Sequence, residues 1–136
     1  MAVRHGRDDD EWGRLAQAGR GFLVERAAMR RTTSYTEFNA ALVNRTGSRG
    51  FDFALDGERA AMGFLLERIS EDAFAASGGL LISALVQYLD SNDAGPGFYA
   101  LARAKNFAVP RSIGDRQLFW ADHVGKLHEH YARSAS

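Results

Sequence analysis

Apolar positions recur at intervals of three and four along most of this chain, and the pattern divides it into a series of helices. Trp12, Leu15, Ala16, Gly19, Phe22, Leu23 and Ala27 draw one stripe, which predicts a helix from about Asp9 to Arg30. Asp8, Asp9, Asp10 and Glu11 stand at its start and Arg26, Arg30 and Arg31 at its end, the order that a helix dipole favours. Ser34-Tyr35-Thr36-Glu37 has the form of a capping box, with Ser34 accepting from the Glu37 amide while Glu37 reaches back. Phe38, Ala41 and Leu42 then give a short apolar face that Gly47 closes as a left-handed cap. Phe51 and Phe53 flank Asp52 in a short extended piece.

A third helix is predicted from Asp56, as cap, to Ile69, with Ala60, Ala61, Phe64, Leu65 and Ile69 buried; Ser70-Glu71-Asp72 then suits a further capped turn. After Ser77-Gly78-Gly79 the pattern changes. Leu80–Leu89 is apolar on both faces and reads as a central strand. Asp90–Gly97 carries turn chemistry. A short helix around Phe98, Leu101 and Ala102 ends near Asn106. The last helix runs from about Asp115 to Arg133 on a stripe of Leu118, Ala121, Val124, Leu127, His128 and Tyr131.

These elements sum to a helix-rich α+β domain. A helix–turn–helix followed by a strand and a Gly-rich turn is the element order of a winged helix, here flanked by N- and C-terminal helices. With 136 residues the chain reads as one globular domain, its residues 1–8 and 134–136 expected to fray. The N-terminus has no apolar signal segment, and no run approaches the roughly 20 residues of a membrane span, so the expectation is a cytoplasmic protein without a membrane partner.

Composition removes several chemistries. The absence of cysteine excludes disulfides, thiolate metal sites and a cysteine nucleophile. His123, His128 and His130 are spaced by five and two, against the four that a zinc-binding helix pair uses, so no metal site is expected. Gly19-Arg20-Gly21 lies inside a helical pattern and lacks the strand and third glycine of a dinucleotide loop. No phosphate loop or nucleophile elbow is present. The sequence therefore points to no catalytic residue and no cofactor. Gly95-Pro96-Gly97-Phe98 suits either an anion-binding helix start or a plain tight turn.

The formal net charge is zero, so a polyanion would have to be met by a local patch. Arg26, Arg30 and Arg31, close in sequence to Arg45 and Arg49, form one basic cluster. Arg103, Lys105 and Arg111 form another in a stretch without acids, with Phe107 interleaved. Such mixtures suit phosphate contact with stacking, and equally a solvated face balancing the acidic start of the first helix.

Thr33-Ser34-Tyr35-Thr36-Glu37-Phe38 is similar to the Thr-Tyr-Gly-Glu-Leu segment that opens a helix in the DNA-binding domain of alkylguanine-DNA alkyltransferases and their alkyltransferase-like relatives. Arg59-Ala60-Ala61-Met62-Gly63 resembles that family's Arg-Ala-Val-Gly, with one extra residue. The resemblance spans residues 33–98 and implies that Tyr35 contacts the DNA backbone near a flipped nucleotide while Arg59 fills the gap left in the stack. The family's Pro-Cys-His-Arg segment is absent, which excludes alkyl transfer, and Asp56, Glu58 and Glu67 lie on the same helix as Arg59. The expected function is non-enzymatic nucleic-acid binding, with Tyr35, Arg59, Arg30, Arg31, Arg103, Lys105 and Arg111 as contacts and DNA as partner. The alternative is a protein–protein interaction module that uses an apolar patch drawn from Phe51, Phe53, Phe98, Phe107 and Trp120.

Overall fold

The computed structural model describes residues 3–88 and 94–135, with side chains to residue 133. Residues 3–8, expected to fray, form a small antiparallel hairpin of β1 (Val3–Arg4) and β2 (Arg7–Asp8). It is fixed because Arg7 is buried and because Asp8 caps the next helix, accepting from the Glu11 amide at 2.8 Å. Part of the expected turn at Asp90–Gly97 lies outside the described residues, as does Ser136.

Helix α1 (Asp9–Ala28) buries the seven residues that the periodicity selects and runs through the middle of the molecule, packed by α2 (Tyr35–Thr46), α3 (Asp56–Ala73) and α5 (Ile113–Ala135). Gly19 permits that crowding. A Cβ there would stand 2.6 Å from Ile69 Cδ1 on α3 and 3.0 Å from Phe38 Cζ on α2, so the helices could not approach as they do.

Ser34 caps α2, its hydroxyl accepting from the Glu37 amide at 3.0 Å, and Gly47 ends the helix at φ 73°. The return half of the capping box is replaced: the Glu37 carboxylate accepts from the Thr33 hydroxyl at 2.6 Å and pairs with Arg26 of α1 at 3.2 Å. Ser34→Ala is expected to destabilise the domain by about 0.5–2 kcal/mol. A melting temperature equal to that of the parent would show that the cap contributes nothing.

Helix α3 is one turn longer than its apolar pattern suggests. Ser70 lies inside it, buried, instead of capping a new turn, and Leu55 occupies the cap position expected of Asp56. Its face is also turned from the expected one. Met62 and Leu66 are buried while Ala60 is exposed.

The stretch expected to be a strand is different in kind. Residues 81–86 are all buried, as its apolar character requires, but Ile82–Leu85 is a 3₁₀ turn and only Val86–Gln87 is extended (β4). β4 pairs in parallel with β3 (Thr33–Ser34), which precedes α2. The reason lies in how the backbone is satisfied. The Leu81 amide donates to His123 Nε2 at 2.8 Å and the Ser83 amide to Ser70 Oγ at 3.1 Å. The Ala84 carbonyl accepts from Trp120 Nε1 at 2.7 Å. Side chains of α3 and α5 do the work that neighbouring strands would do in a sheet.

After β4, an antiparallel bridge joins Gln87 to Ala94, and α4 (Pro96–Ala104) follows with proline in its first turn. Helix α5 buries Trp120, His123, Val124, Leu127 and Tyr131, whereas Leu118, expected in its stripe, is 69 % exposed and Ala121 is exposed too. Both lie off the buried stripe of Trp120, Val124, Leu127 and Tyr131, on the outer side of the helix, while Phe119 packs against the core. The described residues thus form a helix-rich α+β fold with two minimal two-stranded sheets. None of its helices is long and apolar enough to cross a membrane.

Candidate functional site

Five segments meet around an open cleft of about 870 Å³: the start of α2, the residues before α3, the first turns of α3, the end of β4 and the start of α4. Tyr35 is placed by the Ser34 cap immediately before it. Phe53 belongs to a segment anchored by Asn39, whose side chain both donates to the Phe51 carbonyl at 3.0 Å and accepts from the Phe51 amide at 2.9 Å. Arg59 lies one turn into α3, and Tyr88 follows β4. Pro96 and Gly97 bring in the first turn of α4.

The aromatic rings pack against one another along the cleft wall. Tyr35 and Tyr88 are 5.2 Å apart with planes tilted by 36°, and Phe53 meets Tyr35 edge-on at 6.2 Å. Gly95 passes directly over the Tyr35 hydroxyl. A Cβ at that position would stand 2.5 Å from Tyr35 Oη, so any larger residue would have to push the Tyr35 ring aside. Burial, with Tyr88 beside it, pushes the Tyr35 hydroxyl up to about 12. It therefore stays protonated across the physiological range and is a hydrogen-bond donor to whatever enters.

Arg59 donates to the Phe53 carbonyl at 2.5 Å and pairs with Asp56, so it stands at the mouth with half its side chain exposed. Thus the structure brings together the two residues that the family resemblance singles out. Phe53 and Tyr88 complete the walls. Phe53 figured in the sequence only as one aromatic among several, and Tyr88 only as the end of an apolar run. The Gly95-Pro96-Gly97 signal was visible, and its position against Tyr35 gives it meaning.

No residue of the two expected basic clusters is among those lining this cleft; Arg26 and Arg45 meet at the Phe22 ring, 4.9 and 5.2 Å from its centre. Lys105 pairs with Glu71 at 2.8 Å and lies 5.0 Å above the Phe74 ring. Arg30, in a left-handed conformation, and Arg31 are exposed at the end of α1, where the Arg31 carbonyl lies 3.1 Å from His128 Nε2. His128 is about 22 Å along α5 from Ile113, at 1.5 Å per residue. Arg111, just before Ile113, is therefore remote from Arg31. Arg30, Arg31, Arg103 and Arg111 are exposed and have no carboxylate within 4.0 Å among the described residues. Arg26, Arg45 and Arg49 are paired with Glu37, Glu25 and Glu58; the Arg45 guanidinium holds the Glu25 carboxyl below its ordinary value.

The histidines serve the fold. His5 stands edge-on to Trp12 and beside Phe64, while His123 is 3 % exposed among Phe98, Phe107 and Phe119. Among the described residues no group of three or more histidine and carboxylate side chains is placed to hold a metal. No protein-family model, curated protein or solved structure matches this chain.

Proposed function

We propose that this is a non-enzymatic, winged-helix-like nucleic-acid-binding domain that takes one unstacked base into the aromatic cleft. The observation that carries the reading is the convergence of Tyr35 and Arg59 on a single cleft walled by Phe53 and Tyr88. A base has a flat π-face, which a tyrosine wall accepts with little regard to sequence, and a guanidinium at the mouth suits the polar edge of the opened stack. The cleft lies within the range of sizes that hold small ligands. The order α2, loop, α3 and β4, followed by the Gln87–Ala94 bridge, supports a winged-helix-like arrangement.

Titration of single-stranded, plain duplex and mismatched duplex oligonucleotides at low salt tests this. Single strands and mismatched duplexes, whose bases leave the stack readily, are expected to bind more tightly than plain duplex. Tyr35→Ala should weaken binding by about tenfold, with Tyr35→Phe close to the parent in both binding and stability. The salt dependence should be shallow, because few cations near the cleft are unpaired. No binding at about 10⁻⁴ M, or equal binding by Tyr35→Ala, would overturn the reading.

A second reading is favoured by one observation. Arg59, the arginine that lines the cleft, is already paired with an acid, Asp56. That environment suits a neutral occupant, and a partner protein inserting an aromatic or apolar side chain would meet the same tyrosine walls. Saturation of the cleft by p-cresol or indole, seen as shifts of the Tyr35 and Tyr88 ring resonances with no response to oligonucleotides, would select this alternative.

A further inference from the structure

Beyond the aromatic cleft lies a second hollow of about 450 Å³, and the two share Tyr35, Ala60, Gly63 and Gly97. They are two lobes of one groove between α3 and α4. The inner lobe is open because the facing positions are small. Ala60 and Gly63 fall on one stripe of α3, and Gly97, Ala100 and Ala104 on one stripe of α4. Neither Gly63 nor Gly97 has any atom within 4 Å of where a Cβ would stand.

Besides the Tyr35 hydroxyl, the inner lobe carries one carboxylate and one further hydroxyl. Glu67 continues the Ala60–Gly63 stripe, is exposed, and has no cation within 4.0 Å among the described residues. Ser83 also lines the lobe and is 6 % exposed, yet its hydroxyl oxygen has no hydrogen-bond partner. Its amide is tied to Ser70 Oγ at 3.1 Å, one turn along α3 from Glu67, so carboxylate and hydroxyl belong to the same end of the groove. Buried hydroxyls are nearly always partnered, and an orphan beside a cavity is a place for a ligand group to bond. A carboxylate only accepts, and a hydroxyl can accept as well. Among the described residues no cationic side chain lines this lobe.

Resting on the base-capture reading, we infer that the inner lobe selects cytosine and adenine, which carry an amine where thymine carries its O4 carbonyl, over thymine. The ring lies against Tyr35, and its amine donates to Glu67 with the Ser83 hydroxyl as second acceptor. Thymine offers a carbonyl at the same edge, which would face the Glu67 carboxylate without a proton between them. A phosphate is likewise repelled from this lobe, so the backbone of a bound strand passes over the outer, Arg59 end.

Fluorescence titration of single-stranded dC, dA and dT homopolymers against the intact chain tests the inference. The parent protein is expected to bind dC and dA about tenfold more tightly than dT. Glu67→Ala and Ser83→Ala should each bring the ratio towards one by weakening dC and dA, and Glu67→Ala should also tighten dT by removing the carboxylate that its carbonyl faces. Ser83→Ala should melt at or above the parent temperature, since the oxygen it removes bonds to nothing. Equal affinity of the parent for dC and dT would overturn the inference and leave base capture standing, and so would a preference that survives in both variants. Failure to bind any of the three oligonucleotides would overturn both.

Discussion

Replacing Arg7 by alanine is expected to destabilise the domain by about 3–5 kcal/mol, the range for removing one partner of a buried ion pair. The Arg7 side chain has no exposed surface. Nη1 pairs with Glu11 at 2.5 Å, Nη2 donates to the Arg49 carbonyl at 3.1 Å, and the guanidinium lies 4.2 Å above the Phe51 ring. One side chain thereby joins the hairpin, the start of α1 and the segment leading to the cleft. Alanine would leave the largely buried Glu11 carboxylate unpaired, open a cavity beside Phe51 and free the hairpin. Arg7→Met, which keeps the stem volume without the charge, should be milder in packing but still leave Glu11 alone. Pairing it with Glu11→Gln should recover part of the loss. Urea unfolding followed by circular dichroism reads these differences. A midpoint for Arg7→Ala within error of the parent would show that the hairpin is not part of the cooperative unit.

The second large effect concerns acid. His123 is neutral in the folded protein because its Nε2 accepts the Leu81 amide and because burial, aided by Lys126 and opposed by Asp122, pushes it down to about 4 from the usual 6.5. The unfolded chain binds a proton at this residue near pH 6.5 and the folded chain only near 4. Stability from this group is thus intact above about pH 6.5 and drains away as pH falls towards about 4. The limiting slope is about 1.4 kcal/mol per pH unit and the sum about 3 kcal/mol. His123→Gln keeps an acceptor for the Leu81 amide and does not titrate. The difference in unfolding free energy between parent and variant, measured from pH 7.5 to 4, should be constant down to about pH 6.5 and then grow in the variant's favour towards pH 4. A constant difference over the whole range would show that the fold does not lower the His123 pKa.

Local signals were read where local physics decides the outcome. The α1 stripe is the buried face because a helix of that length has one inner side, and Ser34 and Gly47 act as caps because capping is settled within four residues. What was misread depends on remote partners. The run from Leu80 is as apolar as a central strand, but the donors and acceptors that hold it in a 3₁₀ turn come from Ser70, Trp120 and His123. Glu37 was assigned to its own cap, and a nearby arginine on α1 drew it away. Leu118 was placed in the stripe of α5, yet it stands about 200° around the helix from Trp120 and so faces away from the core. The cleft was half legible. Tyr35 and Arg59 stood out by resemblance to a family, but nothing local places Phe53, Tyr88 and Gly95 around them. The basic clusters were legible as composition only, since opposite ends of α5 and a pairing with Glu71 disperse them.

The way residues 81–87 are held also bears on the order in which the chain can fold. Their backbone partners lie 13 residues away at Ser70, 36 at Trp120, 42 at His123 and, through the β3–β4 pairing, back at Thr33 and Ser34. Each of these closes a loop, and the longer loops must be closed before the bonds are gained. Helices α1 and α2 carry their own caps and can form early, whereas this segment has almost nothing to hold it until α5 has returned across the core. Tyr88 follows directly, so the last wall of the cleft falls into place only when the two ends of the chain have met.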